Sequence, residues 1–229
     1  SEKFSHRTVV NVEQNQGLQR KNDAEKYLFK TNIHQTAFEG WLDLDYNAYF
    51  SKRVYSPADY SVFEQAFYHN PTEPVYDPTN TASGGYFRVD NTMAYYNPVA
   101  MLSQVDNRGE RFNYTGNISA TLRPVDGLKI VASASTNNEN YESSKYVSRD
   151  SRYSELGNYD GSAEINDYFY KTNTFEAYAD YSWTNNLHSV GVMAGYSYSQ
   201  TKRTWSNAMN AGFLTCLLYT SPSPRDISG

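Results

Sequence analysis

Arg111-Phe-Asn-Tyr-Thr-Gly-Asn-Ile-Ser-Ala-Thr-Leu-Arg123, followed by Pro124-Val-Asp-Gly127 and Leu128-Lys-Ile-Val-Ala-Ser-Ala-Ser135, decides the architecture. Positions 112, 114, 118, 120 and 122 are Phe, Tyr, Ile, Ala and Leu, while odd positions 111 to 123 are Arg, Asn, Thr, Asn, Ser, Thr and Arg. Period two over that length is a strand with one apolar and one wet face. A short turn then sends the chain back as a second strand. The same unit recurs on both sides. Before it, Tyr27, Phe29, Ile33 and Ala37 share a face opposite Lys30, Asn32, His34 and Thr36. Glu39-Gly40 turns that chain into Leu42, Leu44, Tyr46, Ala48 and Phe50, which alternate with Asp43, Asp45 and Asn47. After it, Phe175, Ala177, Ala179, Tyr181 and Trp183 lead through Thr184-Asn185-Asn186 to Val190, Val192, Ala194, Tyr196 and Tyr198. A further strand, Phe4 to Glu13, joins the first hairpin through a polar connection, Gln14 to Glu25.

The hairpins are separated by long excursions, Lys52 to Gly109 and Asn140 to Asn166. In the first, Ser56-Pro57-Ala58-Asp59 reads as a helix start, with Ser56 as cap and Pro57 in the first turn. Tyr60, Phe63 and Phe67 then share one helical face. Ser83-Gly84-Gly85 marks a turn, and Asn97-Pro-Val-Ala-Met-Leu102 opens a second short helix. Short and long connections in strict alternation are the rhythm of an outer-membrane β-barrel, with short periplasmic and long extracellular loops. Each strand holds about ten or more residues, enough for the roughly 9–11 that cross a hydrocarbon layer. On this reading the chain is all-β, about seven antiparallel transmembrane strands carrying one or two short helices in their loops. Phe112, Tyr114, Ile118, Leu122, Phe175, Tyr181, Val190, Val192 and Tyr196 are expected to face lipid, with Trp41, Trp183 and Tyr181 as an aromatic girdle beside the short turns. A soluble sandwich core is the alternative use of the same apolar face.

Aromatics are 16% of the chain, including 22 Tyr, a side chain suited to a membrane interface because its ring is apolar and its hydroxyl wet. Mean hydropathy is −0.74 and no run of 18 apolar residues exists, which excludes a transmembrane helix and says nothing against barrel strands. Net charge is −5 without a basic stripe, which argues against nucleic acid as a partner. The chain opens at Ser1 without Met or a signal segment and reads as an internal fragment. The tail Cys216-Leu-Leu-Tyr-Thr-Ser-Pro-Ser-Pro-Arg-Asp226 resembles a translated transposon-based sequencing adaptor. Residues 215–229 are therefore set aside, leaving 1–214 as partial barrel, and the single cysteine leaves with them.

No catalytic constellation is present. Asp43-Leu-Asp-Tyr-Asn47 begins like a calcium loop but has Ala48 at the sixth position and Val54 at the twelfth. His6, His34, His69 and His188 are scattered, no Ser-His-Asp pattern is supported, and no cofactor or metal is called for. Asn113-Tyr-Thr and Asn117-Ile-Ser fit a glycosylation pattern but lie on a strand. The reading is of a protein that is not an enzyme. Tyr55, Tyr86, Tyr95, Tyr96, Tyr141 and Tyr146, in loops and wet rows, are the candidates for contact with a ligand or partner; packing the loops on themselves is the other use for them.

Asn70-Pro-Thr-Glu-Pro-Val-Tyr-Asp77, then Gly84-Gly85-Tyr86 and Asn97 to Leu102, together with Phe175 to Tyr181, His188 and Gly195-Tyr-Ser-Tyr-Ser-Gln200, resemble the SusC/RagA class of TonB-dependent outer-membrane transporters. The resemblance runs over residues 1 to about 210. It implies a barrel of about 22 strands with a plugged lumen, of which this chain would supply the first third. It also implies energised uptake of an oligosaccharide or peptide, a SusD-like surface lipoprotein as lid, TonB acting through a plug region not in this chain, and the outer membrane of a Gram-negative, Bacteroidota-like cell. The alternative is a structural or adhesive all-β surface protein, or an autotransporter-like barrel without TonB coupling. A glycan-active enzyme would need a carboxylate pair that the residues do not offer. An open piece of barrel leaves two strand edges unpaired, so the chain is expected not to fold alone.

Overall fold

The computed structural model describes residues 3–88 and 96–212, so Tyr95 and the whole 215–229 tail lie outside the described residues. Seven strands form one antiparallel sheet in chain order: β1 (Phe4–Gln16), β2 (Asp23–Ala37), β3 (Leu42–Tyr55), β4 (Val105–Val125), β5 (Leu128–Val147), β6 (Ser162–Thr184) and β7 (Ser189–Ala211). Three short helices interrupt the long connections: α1 (Tyr60–Tyr68) and α2 (Pro98–Gln104) between β3 and β4, and α3 (Arg152–Gly157) between β5 and β6.

Register turns the alternation of each strand into two continuous surfaces. Ile33, Tyr46, Ile118, Ala134, Phe175 and Tyr198 are successive partners across β2 to β7, and Leu42, Leu122, Ile130, Ala179 and Ala194 form another row on the same face. On the opposite face Asn47, Asn117, Ser135, Thr174 and Ser199 line up in the same way. Among the described residues no second sheet covers the apolar face: Ile118 remains 53% and Tyr196 63% exposed. A sandwich core would bury these positions, so the sheet is a stretch of β-barrel wall.

The apolar band crosses the ladder obliquely. One row reads Val10, Phe29, Phe50 and Tyr114 on β1 to β4, then Asn138, Lys171 and Lys202 on β5 to β7. At its other end the band reaches lowest on β6 and β7, where Trp183 pairs with Val190. A band that slides along the strands while staying level is what strand tilt in a barrel demands.

The strands outrun the expectation from sequence. β5 continues to Val147 and β6 begins at Ser162, so the second long connection is 148–161 rather than Asn140 to Asn166, and the first is 56–104. The β1–β2 connection likewise shrinks to 17–22. Beyond the apolar band both faces carry polar residues, Asn140, Glu142 and Ser144 on one and Glu139 and Ser143 on the other, so the ladder continues where alternation no longer marks it.

The central hairpin closes on Asp126-Gly127, because Val125 pairs with Leu128. The ladder shifts between Leu122 and Val125, where Pro124 has no N–H to donate. Gly127 has φ +81°, and a Cβ there would stand 2.2 Å from the Ser182 carbonyl oxygen. Its own carbonyl accepts from Ser182 N at 2.8 Å, so the turn is tied to β6 only if the residue is glycine.

Candidate functional site: a loop cleft above an arginine and tyrosine wall

The two long connections meet in a cleft of about 520 Å³, lined among others by Tyr86, Arg88, Tyr96, Gln104, Arg152 and Glu155. Local chemistry fixes each wall. Asn97 caps α2, its Oδ1 accepting from Val99 N at 3.0 Å and Ala100 N at 3.2 Å. Its Nδ2 donates to the Val75 carbonyl at 2.8 Å and the Phe87 carbonyl at 3.1 Å, so one side chain ties three loop segments together. Gln104 Nε2 reaches the Ser83 carbonyl at 3.0 Å, and Gly84, in the left-handed region, closes the turn there.

Across the cleft, Ser151 caps α3 by accepting from Tyr153 N. Ser154 is completely buried and its hydroxyl donates to the Ser148 carbonyl at 2.7 Å. The walls join through charge and stacking. Arg88 lies 2.8 Å from Glu155 and Arg152 2.7 Å. The Arg88 guanidinium, with help from Arg152, holds the Glu155 carboxyl below the usual carboxylate range. Tyr96 and Tyr153 stack with centroids 6.0 Å apart and 12° between planes. Burial pushes the Tyr153 phenol up, and its hydroxyl lies 3.3 Å from Ser61 Oγ.

α1 departs from expectation. Asp59, not Ser56, is its cap, accepting from Ser61 N at 3.0 Å, and Ser56 instead extends the sheet by donating its N–H to the Asp23 carbonyl. Pro57 holds the residue before it extended, which delays the helix. Nor does the face of Tyr60, Phe63 and Phe67 turn inward: Val62 is buried, while Tyr60 is 80% and Phe67 85% exposed.

Below the cleft, the wet face of the sheet carries a second cluster. The row Lys26, Arg53, Arg111, Tyr141, Tyr168 and Trp205 runs through successive partners from β2 to β7. In the next row Glu139 partners Tyr170 and Tyr170 partners Arg203. Arg53 sits 4.8 Å above the Tyr55 ring, Arg111 5.4 Å from that of Tyr141, and Arg203 5.3 Å from that of Tyr170. Tyr55 and Tyr141 come close enough for their phenols to interact electrostatically.

The six tyrosines singled out from sequence therefore fall in different places. Tyr55 and Tyr141 meet on the wet wall. Tyr86 packs on Tyr76, with centroids 5.4 Å apart, and Tyr96 packs on Tyr153, both within the loops. Tyr146 stands on the other face, partnering Asp106 and Ala163 near the end of β5, and Tyr95 lies outside the described residues. The arginines 53, 88, 111, 152 and 203, Glu155 and Tyr170 went unnoticed in the sequence. Their signal is cross-strand pairing and loop closure, which needs the register first. Asp43 and Asp45 are spoken for, by Arg123 with Thr36 and by His34 at 2.8 Å. Among the described residues no group of three His, Cys, Asp or Glu could hold a metal.

No protein-family model matches the chain, and no curated protein does. Solved structures do. The RagAB peptide importer in its 'closed-closed' state is similar over 100% of this chain and 26% of its own, with TM-score 0.74 and 17% identity. Its 'open-open' state covers 95% of this chain with TM-score 0.74, and the RagAB peptide transporter 94% with TM-score 0.72, each at 17% identity. The chain spans about a quarter of the length of these structures. Its fold is that of a SusC/RagA-like β-barrel wall, matched over the whole sheet and its loops.

Proposed function

We propose that this chain is part of the barrel of an outer-membrane, TonB-dependent importer of the SusC type, and that the substrate is peptide rather than oligosaccharide. The observation that carries the reading is the likeness of the whole chain to a barrel wall in a peptide importer, loops included. The oblique apolar band supports it further. Phe112, Tyr114, Ile118, Leu122, Phe175, Tyr181, Val190, Val192 and Tyr196 face the outer-membrane lipid, and the opposite face lines the lumen. The short turns lie at the periplasmic end and the cleft opens outside the cell. The exposed aromatic face of α1 fits a SusD-like lipoprotein seated as a lid over the loops. TonB acts on a plug encoded outside residues 1–214, and 215–229 is adaptor-derived sequence.

The test is recovery of the complete reading frame, followed by outer-membrane fractionation and uptake of labelled peptides in cells with and without TonB. A plug upstream and TonB-dependent uptake are expected. A plugless frame would leave an adhesive or autotransporter-like barrel and overturn the importer reading. Expressed by itself, the chain is expected to form inclusion bodies, because among the described residues β1 and β7 each keep an unpaired edge. A soluble monomer with a cooperative melt would count against a barrel.

A further inference from the structure

Like charges directly opposite each other on a sheet repel, and an anion seated against them would relieve that repulsion. Arg53 and Arg111 are such a pair, direct partners across β3 and β4, and Lys26 is Arg53's partner on the other side. Paired residues of this kind have Cα atoms about 4.5–5.5 Å apart. In the two neighbouring rows of this face, Lys26, Arg53, Arg111 and Arg203 are set against Glu13 and Glu139 alone. Glu139 lies 3.5 Å from Arg111 Nε, and among the described residues Arg53 has no carboxylate within salt-bridge distance.

The three guanidiniums are held rather than loose. Each lies against a tyrosine ring; Arg111 already turns its Nε edge to Glu139, whereas among the described residues Arg53 and Arg203 meet no carboxylate and can take one in two-pronged fashion. The rings are fixed in turn. Tyr55 lies beside Tyr141 and where a side chain on Gly109 would be, a Cβ there standing 2.7 Å from the ring. The cleft above offers no such vacancy, because Glu155 already occupies both Arg88 and Arg152.

We propose that the band formed by Arg53, Arg111 and Arg203 with Tyr55, Tyr141 and Tyr170 is a carboxylate-binding station on the lumen wall, taking peptides by an acidic side chain or the C-terminal carboxylate. It rests on the importer reading. It adds a charge preference that the fold does not carry: anionic peptides are retained below the loops, and neutral ones pass without being held.

The test uses the full-length transporter with its lid protein, purified in detergent. Two synthetic peptides are titrated, one containing aspartates and the other with asparagine at the same positions and an amidated C-terminus. The wild type should bind the acidic peptide about tenfold or more tightly, a preference that shrinks as salt rises. Arg53→Gln with Arg111→Gln should abolish the preference and leave the amidated peptide's affinity unchanged. Arg53→Lys with Arg111→Lys should retain part of it, and Arg88→Gln all of it. A heat-resistant band on a gel shows that each variant is folded; if the glutamine pair is not, the lysine pair and the salt series decide. Equal affinities in the wild type, or equal losses for both peptides in the variants, would overturn the station. So would intact peptide preference with impaired TonB-dependent uptake, which would assign the guanidiniums to the plug. If the wild type imports neither peptide in energised cells, the importer reading fails instead.

Discussion

In the loop cleft, Glu155 sits between Arg88 at 2.8 Å and Arg152 at 2.7 Å, whereas on the wall beneath, Arg53 faces Arg111 and, among the described residues, only Glu139, 3.5 Å from Arg111, answers them. Both regions combine arginine with tyrosine, yet they use the pair differently. In the cleft, acid, base and stacked rings satisfy one another and hold two loops together. On the wall, rings hold guanidiniums in place while Glu139 compensates only part of the charge. Composition alone would score the two alike. The difference teaches that a loop region can be spent on its own architecture while a plain strand surface keeps the capacity to bind.

That contrast can be broken by substitution, measured as local opening by hydrogen exchange in the full-length protein. The largest effect is expected at Asn97. Asn97→Ala removes the α2 cap and strands the Val75 and Phe87 carbonyls, costing about 3 kcal/mol and releasing the loop amides. Ser154→Ala should cost about 1–2 kcal/mol by leaving the Ser148 carbonyl without its donor, with exchange rising around α3 and not on the strands.

Glu155→Gln should cost less, at most about 1 kcal/mol, since the carboxylate is half exposed and its ion pairs are screened. The same pairs give the cleft a pH dependence. Arg88 and then Arg152 depress the folded pKa of Glu155, so their contribution is fully present above its ordinary 4.5 and is lost as pH falls through the depressed value. Loop exchange should therefore accelerate in acid below that point, and Glu155→Gln should flatten the profile. An unchanged profile would mean that the stacked tyrosines, not the charges, join the loops.

The smallest effect carries the opposite sign. Arg53→Gln relieves a like-charge pair and should leave stability unchanged or raise it by no more than about 0.5 kcal/mol. If it destabilised the wall as much as Glu155→Gln destabilises the cleft, the distinction between a self-satisfied loop region and a partly compensated wall would collapse.

Much of this was legible from residues. Ile118, Leu122 and Phe175 declared their face because every second neighbour is polar, and Asn97-Pro98 announced α2 through a cap and a proline that needs no N–H donor. The misses share a cause. α3 has only six residues and no apolar repeat, so Ser151 capping Tyr153 was its one local sign. Tyr60, Phe63 and Phe67 satisfy a helical period, but period does not say whether anything lies opposite that face. Above the apolar band, polar side chains on both faces of the sheet remove the contrast that marks a strand.

The sequence by itself determined seven strands, the two faces of each, and which connections are short, because period two and turn chemistry are local properties of the chain. Only the tertiary structure decided that Arg53 meets Arg111, that Tyr55 reaches Tyr141, that Arg88 finds Glu155, and that the apolar band runs aslant. Those facts depend on the register between strands and on how distant loops close. A shift of one residue would preserve every strand and turn each set of side chains to the other face.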